Sequence, residues 1–362
     1  MNKMIKTLAV MLTVFSFATA QAGVLEVTGN AKMSYVITGS DSATAVLESS
    51  KGLGVANEFS LGASGELDNG FTWTYGVDID GTTVQDDARF IVGMPNIGTL
   101  AMFISEGGLE FSKAAAVTAN GDRASDTGYV EGMVESYSIG DMNSIQYHSP
   151  ADLLPYGMMF KVAYAPSTTA AATNSVNAQG TAQTSTISAA TTNVTGAQAA
   201  AGMGSSMESY NLMAKPIDGL EVGASYSKFG GLNKLDQEPE SGAMYAKYVY
   251  GPATFAYGQA RIAHALTDAN TTNDLIEDTQ NTKMSLAYLV NDDLSLSYSE
   301  ESSEANHKTA ATVVVELEST SLAAAYTMGG MTIAVAQVQH ENVGYVAGVD
   351  VNSTVFNVTM AF

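Results

Sequence analysis

The sequence predicts an all-β fold, a transmembrane antiparallel β-barrel of about 16 strands with short periplasmic turns and long extracellular loops. Three observations favour this fold. Many segments alternate apolar and polar side chains, as strands with two different faces do. Short turns and long polar loops follow one another in strict order. Beyond the first 22 residues, no run of 18 apolar residues could form a membrane helix.

The last ten residues, 353–362, show the alternation most clearly. One face carries Thr354, Phe356, Val358, Met360 and Phe362, and the other carries Val355, Asn357, Thr359 and Ala361. A half-buried strand of a soluble sheet would show the same period of two. The aromatic ending resembles the terminal strand of bacterial outer-membrane proteins. That resemblance implies that Phe362 is an assembly signal for the barrel-assembly machinery.

The first 22 residues predict a secretory signal peptide. Lys3 and Lys6 precede the apolar run 7–18, and Ala20-Gln21-Ala22 supplies an A-x-A cleavage site. The apolar run is too short to anchor the chain across a bilayer. We therefore expect cleavage before Gly23 and a single barrel domain over residues 23–362.

Charge and cysteine content narrow the class of protein. The formal net charge is −22, and removal of residues 1–22 removes two lysines and no acids, which leaves 13 − 37 = −24. A nucleic-acid-binding protein needs a basic face, so that class is excluded. The chain has no cysteine, and an exported chain of this size then has no disulfide scaffold. Its stability must come from sheet closure or from a sizeable core.

Short turns and long loops alternate along the exported chain. Seven short turns fall at residues 68–70, 95–96, 154–157, 218–219, 251–252, 291–293 and 329–330. They join 14 strands, and the segments 24–37 and 354–362 bring the total to 16, although 18 strands are also compatible with the pattern. Long polar loops lie between them at residues 39–54, 81–87, 106–143, 166–207, 230–241, 267–281, 302–318 and 342–352. This asymmetry in length is typical of outer-membrane barrels.

Aromatic residues fall into two bands along the predicted strands. Phe71, Trp73, Tyr248, Tyr250, Phe255, Tyr288, Tyr326 and Phe362 lie near the short turns, and Tyr35, Tyr164, Tyr226 and Tyr298 lie toward the long loops. Amphipathic rings settle at the depth of the lipid headgroups, so two bands are expected of a membrane barrel. A β-rich soluble protein would also be rich in tyrosine.

Two long loops differ from the others in composition. Residues 106–143 hold seven acids against Lys113 and Arg123, and this third loop either folds into the lumen and narrows it or projects into the medium. Residues 166–207 form an Ala/Thr/Ser-rich tract with no charged residue, which cannot bury a core. We expect this tract to be a mobile outer loop.

The alternation also assigns the basic residues of the strands to a face. The bases on the lumen face are Lys32, Arg89, Lys161, Lys215, Lys247 and Lys283. A base on the lipid face near the bilayer midplane would cost about 2–4 kcal/mol, which favours this assignment. Arg261 is ambiguous, because turning it inward would also turn Phe255 and Tyr257 inward unless a bulge intervenes.

No pattern in the sequence indicates catalysis. His148, His264, His307 and His340 are isolated, and none has metal-ligand spacing. The G-x-S-x-G elbow of a serine nucleophile is absent. We therefore expect no enzyme, no metal site and no cofactor.

Taken together, the exported chain resembles the trimeric general porins of Gram-negative outer membranes. The resemblance rests on Gly23-Val24-Leu25-Glu26-Val27-Thr28-Gly29, the order of strands and loops, the long third loop and Phe362. It implies a sixteen-stranded homotrimer in outer-membrane lipid that passes ions and small hydrophilic solutes by passive diffusion. The chain lacks a clear P-E-F-G-G motif, to which residues 107–111 bear only a faint likeness, and it has three arginines in all.

The resemblance also implies a pore constriction, in which the third loop faces basic residues of the wall. The loop side would comprise Glu106, Glu110, Asp122, Asp126, Glu131 and Glu135, and the wall side Lys32, Arg89, Lys161 and Lys215. The acidic loop and the net charge predict a preference for cations. Two alternatives stay open: a substrate-specific channel on a similar barrel, and an exported β-rich surface or structural protein that forms no channel.

Overall fold

The chain forms a closed antiparallel barrel, which confirms the predicted fold class and strand number. The computed structural model describes residues 24–40, 50–80, 87–111, 113–129, 133, 135–151, 153–166, 206–230, 237–264, 266, 276–307 and 314–361. Each strand pairs with its neighbours in sequence, and β16 pairs with β1 to close the sheet. The predicted signal peptide, nearly all of the 166–207 tract, Glu131 and Phe362 lie outside the described residues.

The sixteen strands are β1 Val24–Ser40, β2 Ser50–Glu66, β3 Thr72–Asp80, β4 Asp87–Met94, β5 Gly98–Ile104, β6 Ser144–His148, β7 Met159–Ala165, β8 Ser206–Ile217, β9 Leu220–Gly230, β10 Glu240–Tyr250, β11 Ala253–Ala263, β12 Ile276–Leu289, β13 Leu294–His307, β14 Glu316–Met328, β15 Met331–Glu341 and β16 Val351–Ala361. Single 3₁₀ turns lie at Ala124–Asp126, Ile139–Asp141, Pro155–Gly157 and Val343–Tyr345. No helix of the described part of the chain is long and apolar enough to cross a membrane.

Side chains alternate between an inner and an outer face along each strand. In β15, Ala334, Ala336 and Val338 are buried, whereas Ile333 and Val335 are exposed on the outside. In β16, Phe356 is exposed outside, as the alternation of residues 353–362 predicts. The outer face is therefore a belt of large apolar side chains, which suits lipid and not water.

Aromatic residues border this apolar belt on both sides. Near the short turns, Tyr248, Tyr250, Phe255, Tyr288 and Tyr326 are at least 40% exposed, and toward the long loops so are Tyr164, Tyr210, Tyr226 and Tyr298. The hydroxyl groups of Tyr210 and Tyr298 donate hydrogen bonds to the carboxylates of Glu208 and Glu300, at 2.8 and 3.1 Å. Each phenol thus joins the apolar belt to a polar rim, as a ring at a membrane interface would.

All seven predicted short turns occur where expected. Gly70, Gly219, Gly251 and Gly329 take positive φ angles, a conformation that glycine adopts without steric cost. In the turn after β12, the Asn291 side chain accepts hydrogen bonds from the backbone N–H groups of residues 293 and 294, both at 2.9 Å. These local interactions explain why the turns are readable from sequence.

Several strands extend further than predicted, and β12 and β13 extend the furthest into the predicted loops. β12 begins at Ile276 and β13 ends at His307, so the predicted loops 267–281 and 302–318 are too long. The misassigned residues carry polar side chains on the outer face, among them Gln280, Ser302 and Glu304. Strand segments beyond the tyrosine rim meet water, so their outer face needs no apolar residues. The sequence pattern there looks like a loop although the backbone ladder continues.

The position of Arg261 is settled by the register. β10 and β11 pair without interruption from Glu240 and Ala263 to Tyr250 and Ala253, so no bulge turns Arg261 inward. Its guanidinium lies on the outside, toward the long loops, and pairs with Asp278 at 2.9 Å.

Candidate functional site: the lumen and the third loop

The third loop comprises residues 105–143 between β5 and β6, and we call it L3. Its described residues, 105–111, 113–129, 133 and 135–143, lie inside the barrel. Its backbone or side chains bind Asn211 on β8, Ser225 on β9, Ser285 on β12, Ser297 on β13, Ser353 on β16, Lys32 on β1 and Arg89 on β4. One segment can reach strands all around a closed barrel only from within. The strand faces that carry these residues are therefore the lumen faces.

Serine hydroxyls hold much of the outgoing half of L3 against the wall. The backbone N–H groups of Phe111, Val117 and Ala119 donate to Ser225, Ser285 and Ser297, at distances of 3.0, 2.9 and 2.7 Å. Ser285 also donates its own proton to the carbonyl of Ala115. A loop without regular secondary structure needs such partners for its backbone groups, and wall serines supply them.

Glycines in the wall let the loop approach it closely. A Cβ added to Gly258 on β11 would lie 2.8 Å from the Cβ of Ala115. A Cβ added to Gly223 on β9 would lie 2.7 Å from the ring of Phe111, which itself packs on Tyr245 with ring centroids 4.7 Å apart. The wall at these positions is thus shaped to receive L3.

Apolar contacts hold L3 against the wall both near its root and near its tip. Leu109 and Ile139 are buried with Met207, Phe229 and Ile262. The Tyr137 ring meets Phe229 edge-on, with centroids 4.9 Å apart. At the far end of the loop, Ala119 packs against Ala323, Ala336 and Val338. L3 therefore covers the wall from β6 to β16.

A buried cluster of charges joins L3 to β12 and β13. Glu135 of the loop pairs with both Arg123 and Lys283, and Arg123 also pairs with Asp126 at 2.7 Å. Glu301 of β13 accepts a hydrogen bond from Ser125. Burial raises the pKa of Glu135, and the neighbouring Lys283 and Arg123 oppose that rise. The cluster contains two bases and three acids, of which Asp126 is partly exposed and the others lie within the interface between loop and wall.

Glu110 is also a structural carboxylate of the loop. Its Oε1 accepts the backbone N–H of Ile139 at 2.7 Å, and its Oε2 accepts the hydroxyl of Ser138 at 3.2 Å. It thereby ties the outgoing half of L3 to the returning half. Burial raises the pKa of Glu110, and these hydrogen bonds oppose the rise. Burial likewise raises the pKa of Asp141, with Lys113 opposing.

Two ion pairs mark the limits of the wall that L3 covers. Near its tip, Asp122 pairs with Lys32 of β1 at 2.8 Å. At its root, Glu106 pairs with Arg89 of β4 at 2.8 Å. The lumen face between these two bases belongs to β2 and β3. We call strands β1–β4 the bare sector.

The bare sector carries carboxylates that sequence reasoning missed. Glu26, Glu66, Asp78 and Asp87 share the lumen face with Lys32 and Arg89. Among the side chains described in this sector, four acids therefore accompany two bases, and both bases pair with acids of L3. The signal for Asp78 was present in the sequence, because Trp73, Tyr75, Val77 and Ile79 form an apolar outer face and place residue 78 inside.

The opposite wall carries bases closer to the short turns. On β8–β10, Lys247 and Lys215 converge on Glu221, at 2.9 and 3.5 Å, and the hydroxyl of Tyr245 donates to the same carboxylate at 2.8 Å. Lys161 of β7 shares the lumen face beside His148 of β6. Among the described side chains, bases thus outnumber acids on this wall, whereas acids outnumber bases in the bare sector.

The predicted site residues do not form one group. Of the predicted loop acids, Asp122 and Asp126 are partly exposed to the lumen. Glu135 is buried between the loop and the wall, and the side chain of Glu106 is mostly buried. Of the predicted wall bases, Lys283 is buried under L3, Lys32 and Arg89 border the bare sector, and Lys161, Lys215 and Lys247 lie elsewhere in the lumen.

Comparison with known proteins shows a likeness of fold. No protein-family model matches the sequence, and no curated protein matches it significantly. Among solved structures, the anion-selective porin of Comamonas acidovorans matches with a TM-score of 0.66 and 12% identity, over 94% of this chain and 100% of that one. The chain has the general porin fold.

Other porin structures match over the same extent. OmpF of Salmonella typhi, in complex with daunomycin, has a TM-score of 0.60 and 14% identity, over 94% of this chain and 98% of that one. Outer-membrane expressed OmpT of Vibrio cholerae has a TM-score of 0.60 and 10% identity, with the same coverage. At such low identity, the porin fold is specified by the alternation of apolar and polar side chains and by the turns. The site residues must therefore be identified from this chain itself.

Proposed function

We propose that this protein is an outer-membrane channel through which ions and small hydrophilic solutes diffuse passively. The observation that carries the proposal is a closed barrel with an apolar outer face and a loop held inside it. Among the described residues, L3 lies along β6–β16 and leaves the lumen beside the bare sector uncovered, and this is where the proposed water-filled passage would lie. Such a passage needs no catalytic group, only a fixed width and fixed charges.

The outer face supports a place in the outer membrane. Closure leaves no unpaired strand edge, which a lipid environment requires. The apolar belt lies between two tyrosine bands, as in membrane barrels. We further propose export by cleavage before Gly23 and assembly into a homotrimer. One structure of Vibrio cholerae OmpT with this fold is described as a trimer form.

We also propose that the channel prefers cations. The exported chain carries a net charge of −24, and the bare sector has more acids than bases. Low-dielectric walls focus the field of such charges into the passage. One porin of the same fold is anion-selective, so the fold alone does not fix the selectivity, and the proposal rests on the charges of this chain.

Reconstitution of the purified protein into planar bilayers tests the proposal. We expect stepwise conductance increments, and a reversal potential in asymmetric KCl with the sign of cation preference. The preference should weaken as salt rises, because the Debye length falls from about 10 Å at 0.1 M to about 3 Å at 1 M. A folded, heat-modifiable barrel that gives no conductance would instead indicate a surface protein, and the proposal would be wrong.

A further inference from the structure

The last long loop, residues 342–350 between β15 and β16, also turns into the barrel; we call it L8. The hydroxyl groups of Tyr345 and Ser303 share a hydrogen bond of 2.7 Å. Ser303 is fully buried and shares the lumen face of β13 with Ser297, which binds L3. Because β14 lies between β13 and β15, L8 must cross the inside of β14 to reach Ser303.

L8 keeps its shape through hydrogen bonds between its own two ends. The side chain of Asp350 accepts the backbone N–H of Asn342 at 3.1 Å. The backbone N–H of Val343 donates to the carbonyl of Val349 at 2.8 Å. Asn342 and Tyr345 take positive φ angles of 56° and 60°, a conformation that is uncommon outside glycine and persists where neighbouring contacts fix it. L8 is therefore a preformed unit of the lumen and not a loose connection.

L8 packs on the part of L3 that lies against β16. Val343 and Val349 are buried together with Val351 of β16, and Tyr129 of L3 packs against all three. The backbone N–H of Tyr129 donates to Ser353 Oγ on β16 at 3.2 Å. Tyr129 is thus held from two sides, by the wall and by L8.

The residue before Tyr129 fits the same strand closely. Gly128 has a φ angle of 79°, and an added Cβ would lie 2.4 Å from the Cβ of Ser353 and 3.2 Å from Val355. Strand β16 pairs with β1, where the bare sector begins. Residues 128 and 129 of L3 therefore lie at the border between the covered wall and the bare sector.

We propose that L8 positions L3, with Tyr345 and Val349 as the positioning residues that keep Tyr129 against β16 and the passage open. A segment of L3 that leaves β16 can move only into the lumen, and there it lies beside β1. Loss of the contact with L8 therefore narrows or closes the passage. The effect on conduction rests on the proposed channel function, whereas the contact between the two loops can be measured in protein that does not conduct.

Each contact of L8 can be removed by one substitution. Val349→Ala removes apolar surface from the contact with Tyr129, and Tyr345→Phe removes the hydrogen bond to Ser303. We expect each variant to raise the ratio of closed to open time roughly two- to tenfold, the factor by which one such contact shifts a two-state equilibrium. Val346→Ala is the matched control, because Val346 belongs to the same loop but is 53% exposed.

Coupling between the loops separates positioning from a general loss of stability. Tyr129→Ala should raise the closed-to-open ratio, and adding Val349→Ala should raise it no further, because both substitutions remove the same contact. Hydrogen exchange followed by mass spectrometry reports on the loop itself. Peptides that cover residues 127–129 should exchange faster in Val349→Ala than in wild type and Val346→Ala. Peptides that cover residues 111–119, which the wall serines hold, should not change.

Single-channel recording in planar bilayers, on variants whose heat-modifiability shows that they are folded, completes the experiment. If Val349→Ala and Val346→Ala agree in closed time and in exchange, L8 does not position L3; the inference is overturned and the channel proposal stands. If exchange rises at residues 127–129 but closed times equal those of wild type, the predicted control of the passage is overturned. If the folded wild type does not conduct, the proposed function fails, and hydrogen exchange alone decides whether L8 positions L3.

Discussion

Lys283 of the barrel wall and Glu135 of L3 form an ion pair in which both side chains are almost fully buried, at 3% and 4% exposure. Taking two charges out of water is costly, so such a pair is stable only with further partners. Arg123 and Glu301 supply them, and Arg123 extends the network to Asp126, which is partly exposed. The network thus holds two bases, Arg123 and Lys283, and three acids, Asp126, Glu135 and Glu301.

Removal of the base from this network should cost more than removal of the acid. Lys283→Met leaves one base with three acids, and we expect a loss of about 3–5 kcal/mol of unfolding free energy, the range for breaking a buried pair. Glu135→Met leaves two bases with two acids and should cost less. Urea-induced unfolding of the barrel in detergent measures both. An equal or larger loss for the Glu135 variant would contradict this account of the cluster.

A side chain at Gly258 should push L3 off the wall. The added Cβ of Gly258→Ala would lie 2.8 Å from Ala115, and we expect overpacking to cost about 1–3 kcal/mol. The loop can move only toward the lumen, so single-channel conductance should fall. Gly52→Ala is the control, since its Cβ would meet no atom of the described residues within 4 Å. Equal conductance in the Gly258 variant and wild type would mean that L3 does not narrow the passage.

Cation preference should decrease on acidification at a pH above the ordinary range of a glutamate. Burial raises the pKa of Glu106, and Arg89 only partly opposes the rise. Protonation of Glu106 would remove one negative charge from the lumen beside Arg89 and Asp78. Reversal potentials measured as a function of pH test this, and Glu106→Gln should lack the first step of the decrease.

Because the pKa of Glu106 is raised in the folded state, protonation of Glu106 does not unfold the protein. Unfolding through this group therefore cannot cause the loss of cation preference. A carboxyl group whose pKa is higher in the folded state binds its proton more tightly there than in the unfolded chain. Through this group, stability is gained as pH falls through the raised pKa and lost as pH rises through it. A fall in folded fraction that accompanies the early change in selectivity, and that Glu106→Gln abolishes, would contradict this prediction.

The two faces of β1 should differ sharply in their tolerance of charge. Met33 is exposed on the outer face, and its neighbour Ser34 shares the lumen face with Lys32. A lysine on the lipid face near the midplane costs about 2–4 kcal/mol, so Met33→Lys should reduce the yield of folded barrel. Ser34→Lys should fold at the wild-type yield, because its ammonium remains in water. Equal yields would mean that the outer face does not meet lipid.

Local patterns carried most of the fold prediction. Turns depend on a few adjacent residues such as Asn69 and Gly70, and alternation depends on immediate neighbours, so both can be read from one sequence. The ends of β12 and β13 could not, because a strand that leaves the apolar belt loses its apolar face while its ladder continues.

The course of L3 could not be predicted, for a different reason. Its position depends on Ser285 and Ser297, which lie 168 and 178 residues from the backbone groups they bind. Composition alone presented Glu110 and Glu135 as lumen charges, whereas Glu135 is buried against Lys283 of the wall and Glu110 binds Ser138 and Ile139 of the loop itself. The alternation of side chains places Asp78 on the lumen face, but only the basic residues of the strands were assigned to a face from the sequence.

The serine-rich lumen face of β8–β16 divides the barrel into two regions with different evolutionary freedom. Side chains such as Ser225, Ser285 and Ser297 bind the backbone of L3. Substitutions that change the solute preference would therefore disturb L3 little on β1–β4, whereas on β8–β16 they would remove contacts that hold the loop. Among descendants of this sequence, inner-face substitutions that adapt the protein to a new nutrient should accumulate on the first four strands, while the serines that hold the loop stay unchanged.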